Sequence, residues 1–231
     1  MDHEQAFSIH LENPQAPSLR VLRFTGGEVM NELSSVDVVA YASGVEEAVV
    51  SPQILASPAV LSIRVPAGPP RTIAGIVSDI TWLGRMENGR HGLLLRIVPR
   101  AWLLTKRVGT RVFQDMTAAQ IAALVMREHR VPFRFMLVGN YPVREYCVQY
   151  QESDWDFVTR LFAEEAFFFW FEQPAHGATE EVLVVADSPR SYGSIPGGQD
   201  LRFRHDTGAR WSWRRTWSRT FDLASGSKRP H

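Results

Sequence analysis

Tyr146-Cys147-Val148-Gln149-Tyr150-Gln151-Glu152-Ser153-Asp154-Trp155-Asp156-Phe157, continuing through Arg160-Leu161 and Glu164-Glu165 into Phe167-Phe168-Phe169-Trp170-Phe171, carries three local signals in one unbroken run. A strand-like start leads to Ser153, whose hydroxyl is placed to cap a helix. Asp156, three residues on, makes a capping-box-like pair with it, and Asp154 and Asp156 put negative charge at the positive end of the helix dipole. Phe157, Val158, Leu161 and Phe162 then recur at i, i+1, i+4 and i+5 as one apolar stripe, while Thr159, Arg160, Glu164 and Glu165 fall largely off it. The spacing predicts a helix from Ser153 with one buried face.

Phe167 to Phe171 shows no alternation, so as a strand it turns aromatic rings to both faces of its sheet, and both faces need cover. Burying these five rings supplies on the order of 10 kcal/mol as an upper bound, comparable to the net stability of a domain. The run reads as a core nucleus, with a subunit interface as the alternative. Glu164 and Glu165 lie near the helix C-terminus, where the dipole disfavours anions. Either they are solvated, or they meet arginines from elsewhere in the chain or from another chain.

Outward from this run the chain is rich in strand signals. Phe7, Ile9 and Leu11 alternate, as do Ala59, Leu61, Ile63 and Val65, and Leu93, Leu95 and Ile97. Val36 to Tyr41 and Ile73 to Trp82 also read as strands, the second with Gly75 as a bulge or bend. Breaks fall at Gly26-Gly27, Ser43-Gly44, Ala67 to Pro70 and Glu87 to Arg90, where Asn88-Gly89 is the strongest hairpin signal. Short strands divided by turns suggest a barrel or sandwich. A first helix is expected from Thr117, capped with Gln120, with Ile121, Leu124 and Val125 inward and Pro132 beyond its end. Phe133, Phe135 and Leu137 then alternate as a strand, giving strand, helix, strand, helix, strand from about Val112 to Phe171.

The composition fits one or two globular domains: 231 residues, 45% hydrophobic, with zero formal net charge, enough for a sizeable core and without a bias toward nucleic acid. Cys147 is the only cysteine, so no intrachain disulfide forms, and its apolar neighbours point to a buried thiol. The start Met1-Asp2-His3-Glu4-Gln5 has no signal-peptide pattern, and no run is long enough for a membrane span.

Signs of chemistry are weak. The histidines never fall at a metal-ligand spacing, so no metal site is expected. Asp154 with Asp156, and Glu164 with Glu165, are paired carboxylates of the kind glycosidases use, but helix termini account for both pairs. There is no nucleophile elbow, phosphate loop or dinucleotide fingerprint, and Gly26-Gly27 and Gly197-Gly198 read as turns. No cofactor is expected, and the chain reads as a non-enzyme. From Leu201 to Arg219, arginines interleave with Phe203, Trp211, Trp213 and Trp217, the composition of a single-stranded nucleic-acid groove. Leu201 with Phe203, and Trp211 with Trp213, also alternate as barrel strands with Arg on the opposite face. The strand reading is preferred, an acidic protein partner comes next, and no nucleic acid is expected.

The run from Pro142 to Phe171, together with Pro99-Arg100-Ala101-Trp102-Leu103-Leu104 and Arg111-Val112-Phe113-Gln114, resembles the N-terminal region of the VgrG proteins. Those are spike-tip subunits of the bacterial type VI secretion system, similar in turn to the tail hub of contractile phages. The resemblance covers about Phe7 to Phe171 and more weakly reaches Trp217. It departs at Ala166-Phe167, where the family favours Gly followed by an aliphatic residue, and at Trp155. It implies an α+β, β-rich fold of small tube-type β-barrels with two short helices. Residues 1–112 would form the first barrel, 113–220 a helix-containing segment and partial second barrel, and 221–231 a disordered tail. It further implies a structural hub or spike base that docks on the Hcp inner-tube hexamer, carries the puncturing tip, assembles with itself as a trimer, and carries effector or adaptor proteins. Such a protein is assembled in the cytoplasm, is exported by the apparatus, and is not inserted stably in a membrane. The alternatives are a phage or prophage baseplate hub and, more remotely, a toxin or enzyme fragment. On this reading Phe157, Leu161, the Phe167–Phe171 run, Glu164, Glu165, Trp211 and Trp213 are packing and interface residues.

Overall fold

The computed structural model describes residues 7–43, 54–64, 71–85, 89–174 and 179–192. Six strands come first: β1 (Phe7–Leu11), β2 (Arg20–Gly27), β3 (Ser35–Ser43), β4 (Pro58–Ile63), β5 (Arg71–Arg85) and β6 (Arg90–Val98). They form one antiparallel sheet in the order β1-β4-β5-β6-β3-β2. Alternation turns Val38, Leu61, Ile73, Val77, Leu93, Leu95 and Ile97 into one apolar cluster, as a period of two requires. The sheet curls until its edges face each other, with Phe7 of β1 meeting Phe24 of β2 at 5.2 Å between ring centroids. This is the expected small barrel.

Two glycine expectations change. Gly26-Gly27 is not a turn but the end of β2, and a Cβ at Gly26 would lie 2.6 Å from Val36 Cγ2. Gly75 is no bulge: a Cβ there would lie 2.3 Å from the Val98 carbonyl oxygen, so its role is close approach of β5 to β6. The irregularities of β5 fall instead between Val77 and Asp79 and between Trp82 and Gly84.

After Pro99 a 3-10 turn, Arg100–Lys106, leads to β7 (Val108–Phe113), α1 (Ala118–Glu128), β8 (Phe133–Met136), β9 (Cys147–Ser153), α2 (Asp154–Glu164), β10 (Phe168–Glu172) and β11 (Val182–Ala186). β7 pairs antiparallel with β9. β10 pairs antiparallel with β11, which runs parallel to β8. The capping box of α1 forms as expected, with the Thr117 hydroxyl accepting from Gln120 N and the Gln120 amide oxygen accepting from Thr117 N. Its inward stripe is Ile121, Ala122, Val125 and Met126, whereas Leu124 is 39% exposed. The expected stripe is therefore turned by about one position.

A second apolar cluster gathers Leu104, Phe113, Ile121, Val125, Phe157, Leu161, Phe162, Phe169, Leu183 and Val185. The buried residues of this cluster run from Ala101 onward, and β7 pairs with β9 and makes no pairing with the first sheet. Among the described residues no helix is long and apolar enough to cross a membrane. The region Leu201 to Arg219, the tail, Val65 and Asn88 lie outside the described residues.

Candidate functional site

The site is the aromatic strand and what anchors it. At the start of α2 the Ser153 hydroxyl accepts from Asp156 N at 3.0 Å and donates to the Asp156 carboxylate at 2.6 Å. Phe157, Val158, Leu161 and Phe162 are all buried. The helix ends in a Schellman turn: Phe167 N donates to Phe162 O, Ala166 N to Ala163 O, and Ala166 holds φ at 55°. That left-handed position favours glycine, so the departure of Ala166 from the family pattern falls on a strained residue.

This turn delivers β10. Phe169 is buried against Trp155 at 5.4 Å and Phe162 at 5.9 Å, and Phe167 meets Tyr141 at 4.6 Å. Phe171 packs against the same cluster. On the other face Phe168 and Trp170 stack at 5.9 Å, and Tyr192 lies over both. That face is only half-buried, and so is Phe171 on the inner side, so cover is complete only around Phe167 and Phe169.

β10 also fastens the second cluster to the barrel. Asn31 grips Phe169 twice, its backbone N–H donating to Phe169 O at 3.0 Å and its side-chain oxygen accepting from Phe169 N at 2.8 Å. Farther along, the Gln173 side chain accepts from Ala74 N and donates to Glu28, which is paired with Arg71, and Thr72 donates to Pro174 O. Strand edges are the usual place for unpaired backbone groups; here loop and side-chain groups occupy this one.

Charges lock the remaining elements. Asp154 is only 1% exposed. Its Oδ2 accepts from Arg107 Nε at 2.5 Å and lies 2.7 Å from His129 Nε2; its Oδ1 accepts from Arg111 Nη2 at 2.7 Å and Gln149 Nε2 at 2.8 Å. Glu128 joins the same two arginines. Burial alone would raise the Asp154 carboxyl, but its bonds to Gln149, His129 and Arg107 and the Arg111 charge hold it below the usual carboxylate range. Every favourable direction around this carboxylate is taken, so it joins β7, α1 and β9 to α2 and is not a free acid or base. Sequence reading assigned Asp154 to the helix dipole alone. The inward Arg111, set between Val108 and Val112, gave no sign of pairing with it.

Glu164 and Glu165 meet an arginine of the same chain: Arg144 reaches both at 2.5 Å, and Arg160 binds Glu164 at 2.9 Å. Glu181, on the approach to β11, is buried and accepts from Arg100 N. Burial pushes its carboxyl up to about 7, against the lowering effect of that backbone bond. Tyr141 donates to Asp187, and desolvation together with that bond pushes its hydroxyl up to about 12. Cys147 is buried, as expected. Among the described residues no group of His, Cys, Asp and Glu is arranged to hold a metal ion. Trp211 and Trp213 lie outside the described residues.

A curled six-stranded barrel pinned to a helix-and-aromatic second unit is a recurring design, and the phage tail baseplate hub (GPD) family matches residues 27–228 of the chain. The chain is a member of that family. The type VI secretion system spike protein VgrG1c of Pseudomonas aeruginosa is 31% identical over 197 residues, 81% of this chain and 26% of its own length. The spike protein VgrG4b of the same organism is 41% identical over 117 residues, 49% of this chain and 14% of its own. The chain therefore spans about a quarter or less of the curated spike proteins it matches. Among solved structures, the E. coli c3393 protein superposes with a TM-score of 0.70 at 27% identity, over 80% of this chain and 50% of that one. That protein is described as a component of the type VI secretion system with structural similarity to T4 bacteriophage tail proteins gp27 and gp5.

Proposed function

We propose that this baseplate-hub chain is a structural module of a contractile injection apparatus of the type VI kind: the base of the spike, seated on the Hcp inner-tube hexamer. Its task is to pass the thrust of sheath contraction through rigid packing, with no bond made or broken. The observation that carries this reading is β10, whose inner rings are the second core and whose far edge is held by Asn31 of the barrel, so the two parts move as one. The paired carboxylates that resembled a hydrolytic site are tied down by Arg107, Arg111, Arg144 and Arg160, which supports a non-enzymatic role.

On this reading the partners are the Hcp hexamer, further copies of the chain in a trimer, and effector or adaptor proteins, with no role for nucleic acid. The protein is assembled in the cytoplasm and leaves with the expelled tube. A phage or prophage baseplate hub is the second reading, because the family itself is defined on phage tail hubs; sheath, inner-tube and ATPase gene neighbours distinguish it from capsid and tail-fibre ones. The test is export. Deleting the gene should abolish release of the tube protein into the medium, and its return should restore it. Unchanged release in the deletion strain would contradict the proposal.

A further inference from the structure

The outer wall of the barrel is less polar than a sheet facing water requires. Cross-strand pairs place Arg20, Tyr41 and Gly92 in one row, and Arg23, Val39, Leu94 and Thr81 in the next. The buried Val38, Ala40, Leu93 and Leu95 alternate with them, so both rows face outward. Leu22 joins the second row at the irregularity between Val21 and Arg23, and Leu83 lies beyond Thr81 at that between Trp82 and Gly84. Leu22 is 46% and Leu83 51% exposed, and Val39 and Leu94 are half-buried. Four aliphatic side chains thus cross four neighbouring strands, and a contiguous exposed apolar strip marks an interaction site.

Charge borders the strip unevenly. On one side stand Arg20 of β2 and Arg90 of β6, and Arg23 closes the strip's β2 end; all three are exposed and have no carboxylate partner among the described residues. Arg90 lies over the Tyr41 ring, 4.7 Å from its centre, a cation–π contact that holds the guanidinium in place. With Ser18, Arg20, Tyr41 and Ala42 it lines a hollow of about 430 Å³ at the barrel rim. On the other side Asp37 is bound by Arg96 at 2.8 Å, and the exposed Asp79 stands opposite Arg96 on β5. Glu12, at the end of β1, is exposed and joins none of the three arginines; Glu46, Glu47 and Glu87 lie outside the described residues.

We propose that this wall is a docking surface for an acidic segment of another protein, one that sets carboxylates on Arg20, Arg23 and Arg90 and an aliphatic side chain on the Leu22–Val39–Leu94 strip. An arginine fork takes a carboxylate through paired N–H donors, and the hollow at the rim gives room for one beside the guanidinium held on Tyr41. The Asp37–Asp79 edge repels the same segment and so fixes which way round it lies. Nucleic acid fits less well: single strands stack on open aromatic faces, and Tyr41, the aromatic residue of these two rows, already lies under Arg90. The proposal uses the barrel wall alone and not the injection-apparatus reading, so the two fail separately.

Fluorescence anisotropy on the 231-residue chain tests it, with a labelled peptide of three Asp-Asp-Leu repeats as the probe. The expected result is saturable binding that weakens as salt is added. Arg20→Glu and Arg90→Glu should each weaken it by about tenfold, and Leu22→Ser by a smaller factor. A probe with Ser in place of Leu should bind less tightly. Arg210→Ser, Arg214→Ser and Arg215→Ser together should leave binding unchanged, which separates this surface from the other arginine-rich stretch of the chain. Circular dichroism melts check folding, and Arg20→Ala or Arg90→Ala replaces a Glu variant that does not fold. The proposal is overturned by a parent that does not bind the probe, by binding indifferent to the Arg20 and Arg90 variants, by a loss confined to the triple Ser variant, by a Ser probe as good as the Leu one, or by an oligothymidine that binds this surface more tightly than the peptide.

Discussion

Replacing Asp154 by Asn keeps shape and volume while removing the charge that joins four elements. The Asn oxygen can still accept from Arg111 and Gln149, where Oδ1 does so now. Its NH₂ group, however, faces Arg107 Nε and His129 Nε2 at the present Oδ2 position, so the bond from Arg107 is lost and donor meets donor. Breaking a buried ion pair by removing one partner costs about 3–5 kcal/mol. Arg107 is 43% and Arg111 27% exposed, so water recovers part of this and the lower end, about 3 kcal/mol, is expected. In a chain of this size that lowers Tm by roughly 6–12 °C at neutral pH. The carboxyl is held below its unfolded value near 3.9, so its stabilisation is present above that pH and is lost as pH falls through the folded value. The gap between parent and variant should therefore narrow below about pH 4. Melts that coincide at pH 7, or a gap that widens in acid, would refute the assignment of Asp154 as the lock.

Further outcomes follow from neighbouring residues. Phe169→Ala empties a buried site against Trp155 and Phe162 and should cost about 3–5 kcal/mol and lower soluble yield; the half-buried Trp170→Ala should cost less, and denaturant titration ranks them. Ala166→Gly relieves a left-handed residue with φ of 55° and should stabilise by about 1 kcal/mol, raising Tm by roughly 2–4 °C. Glu181 has a folded pKa of about 7, above its unfolded value near 4.3, so its contribution is full below the latter and declines as pH rises toward the former. Glu181→Gln should flatten that slope and stabilise the fold above pH 7 by on the order of 3 kcal/mol, as read from urea midpoints at pH 5 and pH 8.

What the sequence made legible was what repeats locally. Period-two alternation in β1, β4 and β6, the strand-like runs of β3 and β5, and the caps at Thr117 and Ser153 depend on neighbours within a few residues, and the structure bears them out. Signals that depend on distant partners were not. The glycines at 26 and 75 looked like turn or bulge residues, yet their role comes from the approach of Val36 and Val98 on neighbouring strands. Strand β11 was not anticipated, because Val182 to Ala186 is a short apolar run without alternation, buried in the middle of its sheet. The Asp154 cluster was hidden for a similar reason: its members come from β7, α1, β9 and α2, and only tertiary pairing turns Arg111 inward. For Glu164 and Glu165 the sequence allows solvent or an arginine, and Arg144, some twenty residues away, decides the matter.

On the proposed reading, shape and rigidity are the activity of this chain, exercised on the inner tube. The direct measurement is co-sedimentation of the folded chain with purified cognate Hcp hexamer, with Asp154→Asn and Phe169→Ala compared at a temperature where each remains folded. The expected result is that the parent travels with the tube and that both variants do so in proportion to their folded fraction. A folded parent that never associates with the tube, in any oligomeric state, would contradict it.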